Sequence, residues 1–368
     1  MRFLIAPDKF KGSLSAEEAA GAIRAGFQRV FPAAEYELAP IADGGEGTAA
    51  AFHRTLGGEW IFHPAEDARG RRIEAEFLWL PERRTAVIDM SAASGLARLA
   101  EAGRRPWTAS TRGTGQLLAE ALRRGARTVY LGLGGSATND AGAGLAAALG
   151  WTFRDAEGRA VHPIPQNFRA IRSIHPPASP ISAEVIGMTD VANPLLGPAG
   201  CSAVFAPQKG ARGEEIPEWD AVLRHLSDLV ENGARLRELP GAGAAGGLGF
   251  GVLAFLGGRL EPGFAVVARL LDLATRAAAA DWILTGEGKL DAQTLGGKGP
   301  AGVAGLARAA GKPVIAFAGA VDDAIQPGIF TQIVSLTDGQ ISAAESMARA
   351  AELLTAAAER TARSLRAK

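Results

Sequence analysis

Charged side chains follow several predicted strands at the point where each strand ends. Residues 2–6 predict a first strand, and Asp8, Lys9 and Lys11 come directly after it. Ligands of parallel α/β sheets bind at the carboxyl ends of the strands, so carboxylates and lysines there suit an anionic substrate and a metal-bound nucleotide. The residues that share this position are Asp8, Lys9, Lys11, Asp43, Glu46 and Asp190.

A glycine-rich turn separates an apolar run, residues 128–133, from an Ala- and Leu-rich segment that begins at residue 141. The segment predicts a helix that Gly150 ends. Backbone N–H groups in such a turn, at the positive end of a helix dipole, bind phosphate. The alternative is a tight turn in which Asp140 or Asn139 only caps the helix. The candidates for phosphate binding are Gly134, Gly135, Ser136, Thr138 and Asn139.

The segment 285–299 interleaves glycine with charged residues after the predicted strand 281–284. Glycine lets a backbone approach phosphate, lysine neutralises it, and carboxylates can hold Mg²⁺ directly or through water. The segment is not a Walker A loop, which would need glycine at residue 292 and Ser or Thr at residue 299. The phosphate-binding candidates here are Gly286, Gly288, Lys289 and Lys298, and the predicted metal ligands are Asp190, Glu287 and Asp291.

Two other functions stay open at this point. Residues 132–137, Gly-Leu-Gly-Gly-Ser-Ala, match the G-x-G-x-x-A dinucleotide pattern after a strand, which supports an NAD(P)-dependent hydroxy-acid dehydrogenase. Against that reading, its acidic partner Asp155 lies in a predicted hairpin turn. The second alternative is a non-catalytic protein that senses a small acid and binds a nucleotide. Composition does not distinguish such a sensor from an enzyme. No nucleophile elbow, Cys/His pair or metal-ligand spacing of histidines favours hydrolase chemistry.

Composition limits which binding partners and which cellular compartment we expect. A net charge of zero gives no reason to expect nucleic acid or an anionic membrane as a partner. One cysteine excludes an internal disulfide framework and agrees with a reducing cytoplasm. The uncharged stretch 241–258 is rich in glycine, and its hydrophobic part is too short to span a bilayer. We therefore expect a cytoplasmic protein with small-molecule ligands, and a homodimer stays open.

The order of predicted elements indicates two α/β domains. Residues 1–58 and 281–368 repeat a strand–helix pattern and predict one discontinuous domain with a parallel sheet. Residues 59–280 open with a meander of strands and predict an inserted mixed α/β domain. Within it, residues 151–154 predict a hairpin around residues 155–158. A Pro-rich loop is expected at residues 163–180, and a long helix at residues 343–365 ends the chain.

Five motifs occur along the chain: APDKFKGSLS (6–15), PIADGGEGT (40–48), GGSATNDAG (134–142), TDVANP (189–194) and TGEGKLD (285–291). They closely resemble those of bacterial type I glycerate kinases, and the resemblance covers essentially the whole chain. It implies ATP-dependent phosphorylation of D-glycerate, typically to 2-phosphoglycerate, with Mg²⁺. It also implies two α/β domains, one of them flavodoxin-like, with the active site in the cleft between them. The family commonly has serine where this chain has Lys9.

Phosphoryl transfer needs mainly positioning and charge neutralisation, which suggests roles for the candidates. Asp190 is the first candidate for the base, because it follows the buried strand 183–188, and Asp43 is the second. Lys289 or Lys298 would contact phosphate oxygens, and Lys11 and Arg112 the glycerate carboxylate. The predicted catalytic residues are thus Asp190, Asp43, Lys11 and Lys289, and the predicted substrate ligands are Asp8, Lys9, Lys11, Arg112 and Asn193.

Overall fold

Parallel strands dominate the two large sheets of the chain. A computed structural model describes residues 1–42, 44–291, 299–322, 327–337 and 342–367. The strands are β1 (Arg2–Ile5), β2 (Glu35–Leu38), β3 (Glu59–Glu66), β4 (Arg72–Leu80), β5 (Thr85–Asp89), β6 (Thr128–Gly132), β7 (Thr152–Arg154), β8 (Ser173–His175), β9 (Glu184–Met188), β10 (Arg259–Glu261), β11 (Trp282–Leu290), β12 (Val314–Val321) and β13 (Gln332–Ser335).

Helices of very different length connect these strands. No helix among the described residues is long and apolar enough to cross a bilayer. The α-helices are α1 (Ala16–Gln28), α2 (Thr48–Leu56), α3 (Ser91–Ser94), α4 (Arg112–Arg123), α5 (Ala143–Ala148), α6 (Cys201–Phe205), α7 (Ile216–Asp228), α8 (Gly233–Leu236), α9 (Ala244–Phe255), α10 (Gly263–Leu270), α11 (Leu273–Ala279), α12 (Gly299–Ala309), α13 (Ala343–Ala348) and α14 (Ala350–Arg366).

The chain divides into two compact units. The first unit comprises Met1–Asp43, Ala50–Leu56 and Phe264–Lys368, and the second comprises Gly44–Ala49 and Gly57–Gly263. Residues 264–280 therefore lie in the first unit. The division into domains at residues 58 and 281 stays a prediction.

The first unit contains a five-stranded parallel sheet in the order β13-β12-β11-β1-β2. Read within the unit, this is the order 2-1-3-4-5 of flavodoxin-like sheets. Helices cover both faces of such sheets, so the central strands have buried apolar residues, and Phe3, Leu4 and Ile5 of β1 are all buried. Helices α1 and α14 pack closely, because a Cβ at Gly26 would lie 2.4 Å from the carbonyl oxygen of Thr355. The expected flavodoxin-like sheet is confirmed.

The second unit contains a six-stranded sheet in the order β10-β9-β6-β5-β4-β3. Strands β10, β9, β6 and β5 are parallel, whereas β4 and β3 run antiparallel at one side. Helices α4, α5 and α9 contribute buried residues to the same hydrophobic core as the strands. The unit is mixed α/β, as predicted.

Three predicted elements differ from the structure. Strand β11 continues to Leu290, because its ladder with β12 continues as far as the pair Leu290 and Val321. Strand β7 pairs with β8, inside the predicted Pro-rich loop, and this pairing packs Phe153 and Ile174 against the core. The C-terminal helix is interrupted at Arg349, where the backbone leaves the helical region with φ −107° and ψ 17°.

Candidate active site

In the first unit, candidate residues lie where β1 and β11 run side by side. The hydroxyl of Thr285 donates to the carbonyl oxygen of Ala6 at 2.7 Å. The N–H of Asp8 donates to the carbonyl oxygen of Gly286 at 2.8 Å. In a 2-1-3-4-5 sheet the strand order reverses between these two strands, which is the usual position of a ligand crevice. The structure therefore brings Asp8 and Gly286 together at this edge.

Asp8 is buried, and its carboxylate lies near the first residue of α12. Its Oδ1 accepts the N–H of Lys9 at 2.7 Å, and a Cβ at Gly299 would lie 3.3 Å from its Oδ2. A carboxylate is favourable beside the N-terminus of a helix. Asp8 thus has a structural function whether or not it binds substrate. Of the two lysines beside it, Lys9 is half-buried and Lys11 is exposed.

The predicted strand 281–284 is too short, because Gly286 and Gly288 of the following segment also lie within β11. The absence of side chains at these two glycines allows neighbouring backbone segments to pack closely. A Cβ at Gly286 would lie 2.4 Å from the carbonyl oxygen of Phe317. A Cβ at Gly288 would lie 3.0 Å from the backbone nitrogen of Lys11. These glycines let β12 and the segment after β1 approach the backbone of β11.

Glu287 and Lys289 share one face of β11, because side chains alternate along a strand. The side chain of Lys289 is 58% exposed, and its Nζ lies 3.6 Å from Oδ2 of Asp291. An exposed ion pair of this kind contributes little to stability, about 0–1 kcal/mol. Lys289 can therefore exchange this partner for an anionic ligand at small cost. Lys298, the other predicted phosphate ligand of the segment, lies outside the described residues.

In the second unit, Asp89 ends β5 and holds the segment before α2. Its Oδ2 accepts the N–H groups of Gly47 at 3.0 Å and Ala49 at 3.4 Å. The carboxylate thereby caps the first turn of α2. Asp89 is not among the predicted site residues, although it ends a strand and so fits the same strand-end pattern. Asp43, the second candidate base, precedes this segment and lies outside the described residues.

Two glycine-rich motifs of the second unit lie against each other. A Cβ at Gly134 would lie 2.5 Å from the Cα of Gly45, and one at Gly132 would lie 2.9 Å from the carbonyl oxygen of Gly44. Gly135 is exposed and has a φ of +76°, which glycine adopts without strain. The turn after β6 therefore needs glycine to accommodate the chain at residues 44 and 45.

We expect Gly134→Ala to lower the free energy of unfolding by about 1–3 kcal/mol, because the added methyl group must displace the backbone at Gly45. Urea unfolding measures the loss. Gly305→Ala is the matched control, because Gly305 is exposed in α12 with nothing within 4 Å of its Cβ position. Helix propensity should make that variant up to about 1 kcal/mol more stable. Equal stability of the Gly134 variant and the wild type would contradict the close contact.

Asp140 occupies the start of α5, where the sequence predicts an anion-binding basin, and the phosphate-binding roles of the turn stay predictions. Helix α5 begins at Ala143, and Asp140 accepts the N–H groups of Gly142 and Gly144 at 3.2 Å each. Asp140 also accepts the N–H and the hydroxyl of Thr111, at 2.8 and 2.9 Å. Burial raises the pKa of Asp140, although these four hydrogen bonds lower it. The alternative reading of Asp140 as a cap thus describes the structure.

Asp140→Asn should destabilise the fold by about 1–3 kcal/mol, because its amide nitrogen must face a backbone N–H donor. The measurement is the urea midpoint at constant m-value. The matched control is Asp155→Asn, since Asp155 also accepts backbone N–H groups but in an exposed turn. The control should change stability by less than about 1 kcal/mol. Equal losses of stability in the two variants would show that burial of the hydrogen bonds of Asp140 does not add to stability.

The other polar residues of the turn point into the unit. Lys209 Nζ donates to Oγ of Ser136 and to the carbonyl oxygen of Thr138, both at 2.7 Å. Asn139 Nδ2 donates to Oγ of Ser202 at 3.1 Å. Thr138 and Asn139 are fully buried, so these hydrogen bonds fix the turn, and their phosphate-binding roles stay predictions. Lys209 was not predicted, because no local pattern in its Pro-Gln-Lys-Gly context indicates a buried lysine.

Asp190 and Asn193 follow β9, and backbone groups hold both side chains. Oδ1 of Asp190 accepts the N–H of Gly263 at 3.0 Å. Nδ2 of Asn193 donates to the carbonyl oxygen of Ala199 at 2.7 Å. The structure therefore fixes one oxygen of the Asp190 carboxylate at the carboxyl end of a parallel strand. The side chain of Asn193 stabilises the turn that follows.

Arg112 begins α4 and already has an acidic partner. Its Nε lies 3.3 Å from Oε1 of Glu66, and 37% of its side chain is exposed. The predicted contact with a substrate carboxylate would have to compete with this pair. Among the described residues, no three or more His, Cys, Asp and Glu side chains form a group that could hold a metal ion. The metal-binding roles of Asp190, Glu287 and Asp291 stay predictions.

The glycerate kinase family matches residues 3–366 of this sequence. The chain belongs to this family. It is 40% identical to glycerate kinase of Bacillus subtilis (strain 168), covering 100% of this chain and 97% of that protein. It is also 40% identical to glycerate 2-kinase of Escherichia coli (strain K12), covering 87% of this chain and 86% of that protein.

The fold agrees with a solved glycerate kinase structure. A crystal structure assigned to glycerate kinase 2 of Salmonella typhimurium LT2 superposes with a TM-score of 0.87. It is 37% identical, and the match covers 100% of this chain and 98% of that one. Membership of the glycerate kinase family makes the chain a phosphotransferase that acts on glycerate.

The dehydrogenase and sensor alternatives are not favoured for a glycerate kinase family member. The structure also explains the acidic residue that completed the dinucleotide pattern. Oδ2 of Asp155 pairs with Nε of Arg159 at 2.8 Å in an exposed turn. Asp155 therefore stabilises a turn between β7 and β8.

Proposed function

We propose that this enzyme transfers the γ-phosphoryl group of ATP to a hydroxyl group of D-glycerate and releases ADP and 2-phosphoglycerate. The match of the glycerate kinase family across residues 3–366 carries the proposal. In the reaction, the hydroxyl oxygen forms a bond to the γ-phosphorus while the bond from that phosphorus to the bridging oxygen of ADP breaks. The hydroxyl proton must leave to an acceptor on the enzyme or in solvent.

Asp190 is our first candidate for that acceptor. Its carboxylate follows a buried parallel strand, and the N–H of Gly263 orients one of its oxygens at 3.0 Å. A carboxylate at this position would orient a hydroxyl and accept its proton late in transfer. Asp43 is the second candidate.

Lysines and the turn after β6 are our candidates for neutralising the anionic groups. Lys289 is the first candidate for binding phosphate, because its side chain is exposed, and Lys298 is the second. Gly134 and Gly135 would contribute backbone N–H groups to a phosphate. For the glycerate carboxylate we propose Lys11, with Asp8, Lys9, Arg112 and Asn193 around the substrate.

Mg²⁺ is part of this proposal as the metal that accompanies ATP. Mg²⁺ prefers oxygen ligands and is commonly held by one or two carboxylates together with phosphate oxygens and water. The carboxylates of Asp190, Glu287 and Asp291 have the right donor chemistry, and a ready-made cage of three is not required. When bound, the metal would neutralise charge on the phosphates.

A coupled assay of ADP release over a panel of hydroxy acids tests the proposal. We expect release with D-glycerate and much less with L-glycerate or lactate. Phosphorus NMR of the product identifies the position, because phosphate on C2 couples to one carbon-bound hydrogen and phosphate on C3 couples to two. No ADP release with any acid would contradict the proposal, and a triplet would correct the product to 3-phosphoglycerate. A cytoplasmic location and a homodimer stay predictions, and light scattering tests the latter.

A further inference from the structure

Lys209 is a buried lysine in the second unit, with only 1% of its surface exposed. It ends the short 3-10 helix Pro207–Lys209, which follows α6. Its Nζ donates to Oγ of Ser136 and to the carbonyl oxygen of Thr138, both at 2.7 Å. An ammonium group carries three N–H donors. Two of them therefore hold the glycine-rich turn after β6 from its buried side.

The positive charge of Lys209 has no carboxylate at ion-pair distance in the described part of the chain. Asp140 is the acid that acts on it through space, and its oxygens accept hydrogen bonds from Thr111, Gly142 and Gly144. Burying a charge without a close partner is costly. A neutral amide such as glutamine could donate both hydrogen bonds without that cost. The charge therefore indicates a negatively charged partner that is not part of the chain.

Ser136 connects Lys209 to the surface of the turn. Because its Oγ accepts a hydrogen bond from the ammonium group, its own hydroxyl hydrogen is left to donate elsewhere. Ser136 is 8% exposed and follows the exposed Gly135, whereas Thr138 is fully buried. Hydrogen bonds in a chain polarise one another in a low-dielectric interior. The hydroxyl of Ser136 is thus a strengthened donor at the edge of the turn.

We propose that Lys209 is a positioning residue that polarises the Ser136 hydroxyl toward an anionic group of a substrate. The inference rests on the proposed function and adds a residue to it. The group is a negatively charged oxygen, on a phosphate of ATP or on the carboxylate of glycerate. Lys209 acts through Ser136 and breaks no bond itself.

Steady-state kinetics of Lys209→Gln, Ser136→Ala and the double variant test the relay. Glutamine keeps an amide donor and removes the charge. We expect each single variant to raise the KM of one substrate about 10-fold or more, with a smaller change in kcat, because a hydrogen bond to a charged group is lost. The double variant should be no worse than the more affected single one. A higher KM for ATP would identify the anionic group as a phosphate, and a higher KM for glycerate would identify it as the carboxylate.

Ser202→Ala is the matched control. It removes a hydroxyl from the same buried layer, where Ser202 accepts a hydrogen bond from Asn139 and is not bonded to Lys209. It should lower stability and leave both KM values unchanged. If Lys209→Gln behaves in the same way, with lower stability and normal KM values, Lys209 is only structural and the inference is overturned.

The pH dependence of the wild type tests the inference without any variant. Burial lowers the pKa of Lys209 to about 8, against the opposing effects of Cys201 and Asp140. Burial raises the pKa of the Cys201 thiol to about 11, so it stays neutral at that pH, and the side chain of Arg104 lies beside Gly210, the residue that follows Lys209. The KM of the affected substrate should therefore rise as the pH passes about 8, and Ser136→Ala should abolish the rise.

The contribution of Lys209 to stability should rise over the same pH range in which the KM rises. A lysine in the unfolded chain keeps its proton up to a pKa of about 10.4. Between about pH 8 and pH 10 the unfolded chain therefore binds more protons at this position, and the contribution of Lys209 to stability rises with pH. A rising KM without a loss of stability supports the inference, and a KM that stays flat overturns it.

Two readouts separate the failure of this inference from the failure of the proposed function. If the wild type releases ADP with glycerate but the variants and the pH profile show no effect, only the inference fails. If the wild type releases no ADP with any hydroxy acid, the proposed function fails. Calorimetric titration of ATP and of glycerate into wild type, Ser136→Ala and Lys209→Gln then tests the relay as equilibrium binding. Equal affinities in all three proteins would overturn it.

Discussion

Asp190→Asn is expected to fold normally and to phosphorylate glycerate about 10²- to 10⁴-fold more slowly than the wild type. Asparagine keeps an oxygen that can accept the N–H of Gly263, so the turn after β9 should survive. It lacks a basic oxygen for the substrate proton, and the effect should therefore fall on kcat. Steady-state kinetics, with the urea midpoint as the check on folding, measures both.

Three other outcomes would assign Asp190 differently. If excess Mg²⁺ restores part of the rate, the residue binds the metal. If the rate holds and stability falls, Asp190 only forms the turn. Full activity together with full stability would move the assignment to Asp43. Asp272→Asn is the control, because Asp272 is an exposed acid just before α11 and its substitution should change neither quantity.

Local patterns predicted the parts of the fold that depend on neighbours in sequence. Ser15 and Glu18 predict a capping box, and the structure contains both of its bonds at the start of α1. The apolar residues 3–5 predict strand β1 and are buried in the structure, and the strand order is the expected flavodoxin-like one. The strand-end pattern gave Asp8 and Asp190, because in a parallel sheet the residue after a strand has a fixed position.

Residues whose position depends on distant segments were not predictable in this way. The length of β11 depends on β12, which pairs with it as far as Leu290, and glycines 286 and 288 read alone as a loop. Lys209 is buried because the turn at Ser136 and Thr138 provides acceptors, some seventy residues earlier in the chain. Asp140 illustrates the opposite case. The same residue could cap a helix or bind a ligand, and only its four hydrogen bonds decide for the cap.

Lys289→Met is expected to lower kcat by about 10²-fold or more, which corresponds to about 2.7 kcal/mol of transition-state stabilisation. Methionine matches the length of the lysine stem and removes only the charge. Because the lysine is exposed and its pair with Asp291 is 3.6 Å long, the substitution should change stability by less than about 1 kcal/mol. A large decrease in kcat with a small change in stability would identify Lys289 as a ligand of the transferring phosphoryl group.

The matched control is Lys312→Met, because Lys312 lies just before β12, at the amino end of a neighbouring strand in the same sheet. Ligands bind at the opposite edge of parallel sheets, so this variant should keep the wild-type rate. Asp291→Asn separates two explanations of a slow Lys289 variant. If Lys289 acts on phosphate directly and Asp291 does not bind the metal, loss of Asp291 leaves the charge of Lys289 in place and the rate should change little. If the rate falls equally in both variants, the pair acts as a unit, and Asp291 gains support as a metal ligand. A normal rate in Lys289→Met would remove β11 from the phosphate site and leave Lys298 as the candidate cation of that segment.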